Sequence, residues 1–565
     1  MAVKIMKLLL SLTLAALCLP AHPACAHETK RPNILFILAD DLGWTDISTG
    51  QSNFGHGSKY HETPNIDRLA AEGLSFPQAY VQQNCQPTRA ALISGQYAPH
   101  PRNGVYNVQS LRRATKKTAG YRKLPIVPPA QKGQIDANGT SLHEVLKSVG
   151  YHTSWFGKNH ATGAADDLPR KHGIDHNYAT DKRNKATVRG ASARTEYLAL
   201  NDDTVGWKLP IPELAPYAQP YDQTYLDTVL APLTNENDLS LLLGRPKHLT
   251  DALGDAAVDY IAERARTGEP FFLYLPFHAI HTATAPRRDL KAKYQRKTST
   301  DPRHKRADYA AFVETLDQNV GKLLTALDDP NGDGNTNDRV ATETLFVFCS
   351  DNGGDTRTDN TPLRRTKGTF YEGGIRVPLI CRWPGVVAPN TVCTQSIHCV
   401  DMFPTFAELA GAALPDPGFQ ALDGESFAPI LRGETTSLVR DKLYWHFPGY
   451  MDNRQRPNSV VQKRVNGEYF KLFYYYEDGR YELYNLTRDI GETTDLLDGD
   501  PSAAMLQLAQ KMNTDLRNWL VRAKAATGEW AGNGEAVPYP PADMQKTGSG
   551  SDPIPRRARP RRKPQ

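Results

Sequence analysis

One cysteine does not fit the sequence patterns that are typical of metal-binding or redox-active cysteines. Cys85 lies in "VQQNCQPTRAALISGQY", residues 81–97, beside a proline and just ahead of a helical run. No second cysteine lies at the spacing of a zinc site or of a thioredoxin-like Cys-x-x-Cys pair. We therefore expect this thiol to have chemistry of its own.

Residues suited to binding a cation follow two apolar runs that are far apart in the chain. "PNILFILADD" closes on Asp40 and Asp41, and "TLFVFCSDNGG" closes on Asp351 and Asn352. Carboxylate and amide oxygens favour a hard cation such as Ca²⁺ or Mg²⁺ over zinc. Either pair alone is common at a helix cap or a turn, so the prediction of a metal site rests on both pairs together.

Two further apolar runs end in basic residues. "YHTSWFGKNH" ends in Lys158 and His160, and "FFLYLPFHAIH" ends in His278 and His281. Ligands of open α/β sheets bind outside the carboxyl ends of the strands. We therefore expect these basic side chains to converge with the two acidic pairs.

The elements that must position these residues are buried strands separated by helices. Uninterrupted apolar runs of this length are typical of strands covered on both faces in a parallel sheet. "LTDALGDAAVDYIAERA" and "RADYAAFVETLDQNVGKLLTALDD" show apolar residues at helical spacing between them. This alternation predicts an α/β fold.

The pattern changes near residue 440. "KLYWHF", "YFKLFYYY" and "RYELYNL" predict a small antiparallel sheet with Asp478-Gly479 as a hairpin turn, followed by a helix near "MLQLAQKMNTDLRNWLVRA". We divide the chain into a signal peptide at 1–26, a catalytic domain at 27–435, a C-terminal α+β subdomain at 436–535 and a disordered basic tail at 536–565.

The N-terminus has the three-part pattern of a secretory signal. Lys4 and Lys7 precede an apolar run that closes on the small residues "ACA" at 24–26. We expect export to the periplasm or the extracellular space, with no membrane-spanning segment elsewhere. The formal net charge of +5 is concentrated in this segment and the tail, so the body is near neutral, which argues against nucleic acid as a partner.

The remaining cysteines and one acidic loop need separate interpretations. Five cysteines follow the signal segment, and Cys381 could pair with Cys393 or Cys399, with Cys349 as a further candidate. "DPNGDGNTND" at 329–338 resembles a calcium-binding loop, but its twelfth position is Val340 instead of a glutamate. We interpret this loop as a surface turn.

"CQPTRAALISG" resembles the Cys-x-Pro-(Ser/Thr)-Arg signature of the type I sulfatases. "RPNILFILADDLGWTDI", "TPNIDRLAAEGLSFPQAY", "GKNH", "SDNGG" and "KGTFYEGGIRVPLI" resemble the other blocks of that family in their usual order, over residues 31–530. The resemblance implies an alkaline-phosphatase-like architecture, in which helices flank a large mixed, mostly parallel sheet and a smaller antiparallel sheet with a helix follows. It also implies hydrolysis of a sulfate ester, which we assign to a sulfated carbohydrate substrate.

The resemblance further implies a modification and a metal ion. Cys85 would be oxidised to formylglycine by a formylglycine-generating or anaerobic sulfatase-maturating enzyme, and the hydrated aldehyde would be the nucleophile. One Ca²⁺ would contact position 85 and be held by the four residues of the two acidic strand ends: Asp40, Asp41, Asp351 and Asn352.

The remaining implied roles fall on basic residues. Arg89 would fix the hydrate, and two lysines, Lys158 and Lys367, would bind sulfate oxygens. His160 would act as the base, and His281 would protonate the leaving group. Two positions depart from the family pattern, Asn159 beside His160 and Ile280 beside His281, and neither removes a reacting group.

Other residues and other functions stay open at this level. Glu372 and Arg376 are interpreted as supporting residues, whereas Arg364 and Arg365 either bind an anionic substrate or are solvated. One alternative function is a phosphatase or phosphodiesterase on the same scaffold, although such enzymes use Ser or Thr and zinc with several histidines. The other is a non-catalytic glycan-binding protein, should Cys85 stay unmodified.

Overall fold

The computed structural model describes residues 31–108, 110–162, 171–180, 212–234, 236–282 and 284–544. The predicted signal peptide at 1–26 lies outside the described residues. The described helices include none that is long and apolar enough to cross a membrane.

The centre of the larger domain is a mixed sheet of eight strands. Its order across the sheet is β11 (Thr391–Val392), β2 (Leu74–Ser75), β10 (Leu379–Arg382), β8 (Thr344–Ser350), β1 (Asn33–Ala39), β7 (Phe271–Pro276), β5 (His152–Lys158) and β6 (His176–Thr180). The five strands from β8 to β6 are parallel to one another, whereas β10 is antiparallel to both of its neighbours. The predicted mixed, mostly parallel sheet is confirmed.

Helices cover both faces of this sheet. The helices of eight or more residues are α1 (Pro64–Ala71), α2 (Cys85–Ser94), α3 (Leu249–Thr267), α4 (Arg288–Arg296), α5 (Ala307–Asp328), α6 (Met402–Ala410) and α7 (Ala503–Arg522). Shorter helices span Leu111–Thr115, Leu142–Lys147, Gln223–Tyr225, Glu372–Ile375, Pro417–Gln420 and Ala428–Leu431. The two long amphipathic segments predicted from helical spacing correspond to α3 and α5.

The alternation of side chains along β1 explains why its sequence is apolar throughout. Successive residues of a strand point to opposite faces, and here both faces are covered. Ile34, Phe36 and Leu38 belong to the core beneath α2 and α6, and Leu35, Ile37 and Ala39 belong to the core beneath α3 and α5. In a strand that is buried on both faces, polar residues are tolerated at the two ends of the strand.

The C-terminal region forms a four-stranded antiparallel sheet. Its strands are β13 (Lys442–Phe447), β14 (Asn458–Val465), β15 (Glu468–Tyr475) and β16 (Tyr481–Asn485), in that order. The predicted turn lies between β15 and β16, where Gly479 has a φ of 69° and its N–H bonds to Tyr475 O. Helix α7 packs on this sheet through buried Leu516 and Trp519.

Two small sheets connect distant parts of the chain. One contains β12 (Ile397–His398), β3 (Ala79–Tyr80) and β9 (Arg376–Val377), and the other pairs β17 (Glu529–Trp530) with β4 (Ile126–Val127). The second of these sheets attaches the C-terminal region to the segment at 101–135.

The packed chain runs beyond the boundary predicted at residue 535. Val537 is buried, Asn513 Nδ2 donates to Pro541 O at 2.8 Å, and the Met544 N–H donates to Gln510 Oε1 at 2.8 Å. Residues 536–544 are therefore ordered against α7, because apolar contacts and backbone hydrogen bonds hold them there. The basic remainder of the predicted tail lies outside the described residues.

The five cysteines after the signal segment are all buried free thiols in the described structure, so none of the disulfides left open by the sequence forms. The acidic loop that resembles a calcium site is an exposed turn between α5 and β8, as we predicted. Its Asp329 carboxylate accepts the N–H groups of Gly332 and Gly334 at 2.9 Å, which accounts for the repeated Asp and Gly residues.

Candidate active site

The two acidic strand ends lie side by side. Strands β1 and β8 are adjacent and pair Ala39 with Ser350, so the residues that follow each strand emerge at the same edge of the sheet. The four side chains brought together there are fully or almost fully buried: Asp40, Asp41, Asp351 and Asn352. The convergence expected from the sequence is therefore found in the structure.

Hydrogen bonds across the two strand ends fix this arrangement. The Asp41 N–H donates to Asp351 Oδ1 at 3.3 Å, and Asn352 Nδ2 donates to Asp41 Oδ1 at 2.9 Å. Asp41 has a φ of 68°, a left-handed conformation that Asp tolerates better than most residues. The chain thus turns sharply after β1 and directs both carboxylates into one buried space.

Cys85 begins α2 and lies against the same space. Its Sγ and one carboxylate oxygen each from Asp40 and Asp351 lie within 4.8 Å of one another. Arg89 follows one turn later in the helix and therefore lies on the same face as Cys85. Its Nε and Nη2 donate to Asp351 Oδ2 at 3.0 and 2.7 Å, and its Nη1 donates to Lys158 O at 3.1 Å.

Two lysines neutralise the carboxylates. Lys158, at the end of β5, pairs with Asp40 Oδ2, and Lys367 pairs with Asp41 Oδ1. Burial alone would raise the pKa of Asp40, but the positive charges around it, Lys158 first and then Arg89 and Lys367 among others, together outweigh burial and hold that pKa well below its usual value. Burial and the negative charge of Asp40 raise the pKa of Asp351 to about 6, although the positive charge of Arg89 opposes this rise.

Two of the three histidines at strand ends lie at the open side of the cluster. His160 Nδ1 is 3.4 Å from Cys85 Sγ, and His281 Nε2 is 4.0 Å from Asp41 Oδ2. Burial lowers the pKa of His281 to about 4. The loop that carries His281 is fastened to β1, because the Ile280 N–H donates to Asp40 O at 2.8 Å. Isoleucine at position 280 therefore leaves His281 at the site.

The structure also shows the surroundings of His278, which follows β7, and of Asn159, which departs from the family pattern. His278 is buried below the site near Lys158, and burial lowers its pKa well below the usual value. Asn159 accepts a hydrogen bond from Thr162 Oγ1 at 3.0 Å. It thereby closes the turn that places His160 over Cys85.

Several nearby residues are part of the framework and lie outside the reacting cluster. Arg364 Nη1 donates to Tyr484 OH and to Glu492 O, both at 2.9 Å, so it joins the two domains. Glu372 bonds to Arg376 at 3.0 Å and to Lys471 at 2.9 Å. These contacts support the interpretation of Glu372 and Arg376 as structural residues.

Arg357 was missed by the sequence reasoning. Its Nη2 lies 3.4 Å from Asp41 Oδ2, and its Nη1 donates to Thr284 Oγ1 at 2.9 Å. The only signal in the sequence is its position shortly after the "SDNGG" block, in a stretch without a recognisable motif. It adds a positive charge beside Asp41, at the edge of the cluster next to His281.

The buried cluster has the composition of a site for a hard divalent cation. It supplies oxygen donors of three carboxylates and one amide. Among the described residues, Asp40 Oδ1 and Asn352 Oδ1 are buried without a hydrogen-bond partner. Buried polar oxygens are rarely left without a partner, so a cation bound between the strand ends would satisfy both.

Comparisons with known proteins agree with this geometry. The Sulfatase family model matches residues 32–412, and the model described as N-sulphoglucosamine sulphohydrolase, C-terminal, matches residues 366–521. A protein named sulfatase from Formosa agariphila is 55% identical to this chain over 523 residues, and the alignment covers 92% of this chain and 94% of that protein. N-acetylgalactosamine-6-sulfatase of Mus musculus is 30% identical, with 78% of this chain and 72% of that protein covered.

A comparison with a solved structure also shows similarity to a protein of this kind. The crystal structure of Ps i-CgsB in complex with k-i-k-neocarrahexaose aligns with a TM-score of 0.61 and 27% identity, over 87% of this chain and 93% of that chain. Fold and site together define a hydrolase with an alkaline-phosphatase-like architecture. The chain belongs to the sulfatase family and is a sulfuric ester hydrolase.

Proposed function

We propose that this protein hydrolyses sulfate monoesters of a sulfated carbohydrate, with a hydrated formylglycine made from Cys85 as nucleophile and one bound Ca²⁺. The observation that carries the proposal is the position of Cys85. It lies at the start of α2, between the oxygen cluster of Asp40 and Asp351 on one side and His160 on the other.

The proposed calcium ligands are the four strand-end residues, with position 85 as a further contact. Bound Ca²⁺ supplies a Lewis acid that polarises a sulfate oxygen and holds the ester in place. A hydrated aldehyde at position 85 supplies one hydroxyl to attack sulfur and a second hydroxyl whose proton must later be removed. The Cys85 thiol marks the place of those hydroxyls.

The positive charges of the site suit an anionic ester. Lys158 and Lys367 lie on either side of the cluster, paired with Asp40 and Asp41, and we assign both to the sulfate oxygens. The N-terminus of α2 adds the positive end of a helix dipole at position 85. Arg89, held by two hydrogen bonds to Asp351, fixes the orientation of the residue one turn before it.

We assign a different proton transfer to each of the two histidines, His160 and His281. His160 lies within reach of position 85, so we assign it as the base that removes the proton from the second hydroxyl. His281 lies on the other side, beside Asp41, and we assign it as the acid for the leaving alcohol. Burial lowers its pKa to about 4, and a bound anionic ester would raise that pKa by stabilising the imidazolium.

The assignment to a carbohydrate rests on the relatives. N-acetylgalactosamine-6-sulfatase is named for a sugar sulfate, and Ps i-CgsB was crystallised with a neocarrahexaose. We propose a galactose or N-acetylgalactosamine sulfate, and export to the periplasm or outside the cell, where sulfated polysaccharides are encountered. The proposed maturing partner is a formylglycine-generating or anaerobic sulfatase-maturating enzyme.

The test is mass spectrometry of the peptide that contains position 85, combined with a sulfate-release assay on defined sulfated saccharides. We expect an aldehyde at position 85 in protein from its native host, and sulfate release that a chelator abolishes. The matched control is Cys85→Ala, which should keep the fold and release no sulfate. A thiol at position 85 in native protein would contradict the proposal and favour a glycan-binding function.

A further inference from the structure

A strongly basic surface lies in the segment that follows α2. The short helix Leu111–Thr115 buries Leu111 and turns its charged residues outward. Six exposed cations occur within twelve positions of the chain: Arg112, Arg113, Lys116, Lys117, Arg122 and Lys123. We name these six residues the basic rim. No Asp or Glu occurs between positions 103 and 135.

These charges are not used by carboxylates in the described structure. Among residues 31–108, 110–162, 171–180, 212–234, 236–282 and 284–544, no ion pair joins the basic rim to an acidic side chain. Lys132, further along the same segment, does pair with Asp136 at 3.7 Å. Within the part of the chain that the structure describes, the basic rim is therefore a surface of positive charge without acidic partners.

Both ends of this segment are fixed beside position 85. Gln83 Nε2 donates to Tyr106 O at 2.9 Å, where the segment begins. Gln86 Nε2 donates to Gly133 O at 2.6 Å, where the segment ends. The two glutamines flank Cys85 in the chain, so the basic rim is built on the residues that surround the proposed nucleophile.

The middle of the segment is fixed to the other wall of the site. The Ala119 N–H donates to Asn453 Oδ1 at 3.2 Å. The next residue, Arg454, donates from Nη1 to Lys367 O at 3.2 Å. The segment that carries the basic rim is thus linked through Asn453 and Arg454 to the main chain of Lys367, a proposed sulfate-binding lysine.

We propose that the basic rim binds further sulfate groups of a polymeric substrate, on the sugar units next to the ester that reacts. This inference rests on the proposed function, because it assigns the same site an extended polyanion instead of a small sulfate ester. Exposed cations attract an anionic chain over roughly 10 Å at 0.1 M salt. Tyr121, 39% exposed between the two halves of the rim, accepts a hydrogen bond from Arg122 Nε at 3.1 Å and adds an aromatic ring to the same surface.

The proposal predicts different effects of the basic rim on polymeric substrates and on small sulfate esters. A small aryl sulfate fills the reacting position and does not reach the basic rim, whereas a sulfated polymer contacts both. Contacts away from the reacting sulfur add binding energy for the polymer that a small ester never obtains, so their loss weakens polymer binding and leaves turnover of the small ester unchanged. The affinity for the polymer should depend less on salt concentration as more rim cations are removed.

The experiment compares two variants of the full-length matured enzyme with equal changes in net charge. Arg112→Ser, Arg113→Ser, Lys116→Ser and Lys117→Ser together remove four rim cations. The control removes four exposed cations from other elements: Arg266, Lys291, Arg339 and Lys511, each changed to Ser. The probes are dextran sulfate, for its Kd and its competitive inhibition constant, and 4-nitrophenyl sulfate, for kcat/KM.

We expect the rim variant to bind dextran sulfate roughly tenfold more weakly, from four contacts of the strength of exposed ion pairs. Its kcat/KM for 4-nitrophenyl sulfate should stay within about twofold of wild type. The control variant should match wild type in both measurements. Equal weakening in both variants, or unchanged binding in the rim variant, overturns the proposal.

The two proposals can fail separately. The proposed function fails if wild-type protein with an aldehyde at position 85 hydrolyses neither 4-nitrophenyl sulfate nor any sulfated saccharide. In that case, a loss of dextran sulfate binding confined to the rim variant would still support the basic rim as a polyanion-binding surface. If hydrolysis occurs but dextran sulfate does not inhibit it competitively, the rim does not lead into the active site, and the further inference fails alone.

Discussion

The Sγ atom of Cys85 lies 3.4 Å from Nδ1 of His160. The first residue begins α2, and the second follows β5, so the contact joins the helix that carries the proposed nucleophile to the sheet edge that carries its proposed base. The same sheet edge holds the acidic strand ends. A proton acceptor and a cluster of oxygen ligands thus face position 85 from different directions.

Replacement of His160 by Ala should slow turnover without preventing the first reaction with substrate. Loss of a general base lowers rates by about 10²–10⁴-fold. We expect kcat for 4-nitrophenyl sulfate to fall by that factor, with about one equivalent of nitrophenol released rapidly per enzyme, because only the later release of sulfate needs the base. Stopped-flow absorbance measures the burst.

The matched control for that experiment is His152→Gln, at the opposite end of β5, where the imidazole contacts Tyr260 OH at 2.9 Å. It should leave both burst and kcat close to wild type. Equal rates of nitrophenol and sulfate release in His160→Ala, at an unchanged kcat, would remove His160 from the mechanism.

Calcium affinity should respond in opposite directions to changes in the Asp40–Lys158 pair. Asp40→Asn removes an anionic ligand and should weaken calcium binding by roughly tenfold or more. Lys158→Met removes a cation beside the site and should strengthen calcium binding, since repulsion between like charges is lost. Isothermal titration of chelator-treated protein measures both dissociation constants.

Both variants should lose activity, because each removes a group assigned to calcium or sulfate. Without calcium, Lys158→Met leaves buried Asp40 with the longer ion pair to Arg89 Nη2, at 3.6 Å, and breaking a buried pair costs up to about 3–5 kcal/mol. Its Tm should therefore rise more on calcium addition than the Tm of wild type. Weaker calcium binding in Lys158→Met would contradict the assignment of Asp40 to the metal.

Lys471 should be essential to the junction between the two domains. Lys471, on β15, is fully buried and pairs with Glu372 and Glu492, each at 2.9 Å. Lys471→Met leaves the buried Glu492 carboxylate without its cation and leaves Glu372 paired with Arg376 alone, so we expect the free energy of unfolding to fall by about 3–5 kcal/mol. Urea denaturation measures this change.

Lys463→Met on the neighbouring strand β14 is the matched control. Its ammonium pairs with Asp515 at 2.7 Å but is partly exposed, so the loss should be below about 1 kcal/mol. Similar losses in the two variants would show that burial of the Lys471 cluster contributes nothing beyond a surface pair.

His100 should make stability depend on pH. Burial would lower the pKa of His100, but the hydrogen bond from Nε2 to Asp423 Oδ1 at 3.0 Å and the negative charge of Asp423 together outweigh burial and raise that pKa. A raised histidine pKa stabilises the fold below the unfolded pKa of about 6.5, and this contribution is lost as pH rises through the folded pKa. His100→Gln should therefore cost about 1 kcal/mol at acidic pH and less at alkaline pH.

Thermal unfolding at a series of pH values measures the His100 contribution. His152→Gln serves as a control of opposite sign, because burial lowers the pKa of His152 and makes its charged form unfavourable in the fold. That variant should be relatively more stable at acidic pH. A constant difference between wild type and His100→Gln at all pH values would exclude the ion pair with Asp423.

Much of the site could be predicted from local sequence. The apolar runs before Asp40 and Asp351 predict strands buried on both faces, and such strands can place polar residues only at their ends. Period and composition are properties of a few consecutive residues, so the sheet, the C-terminal hairpins and the polar strand ends were visible in the chain. The oxygen-rich composition of those ends indicated a hard cation for the same reason.

The tertiary structure alone decided which ends meet and which residues join them. The pairing of Ala39 with Ser350 spans most of the larger domain, and no local pattern encodes it. The contact of Arg357 with Asp41, the anchoring of the basic rim beside Cys85 and the packing of residues 536–544 on α7 arise in the same way. Each depends on contacts between segments that only the packing of the sheet, helices and subdomain brings together.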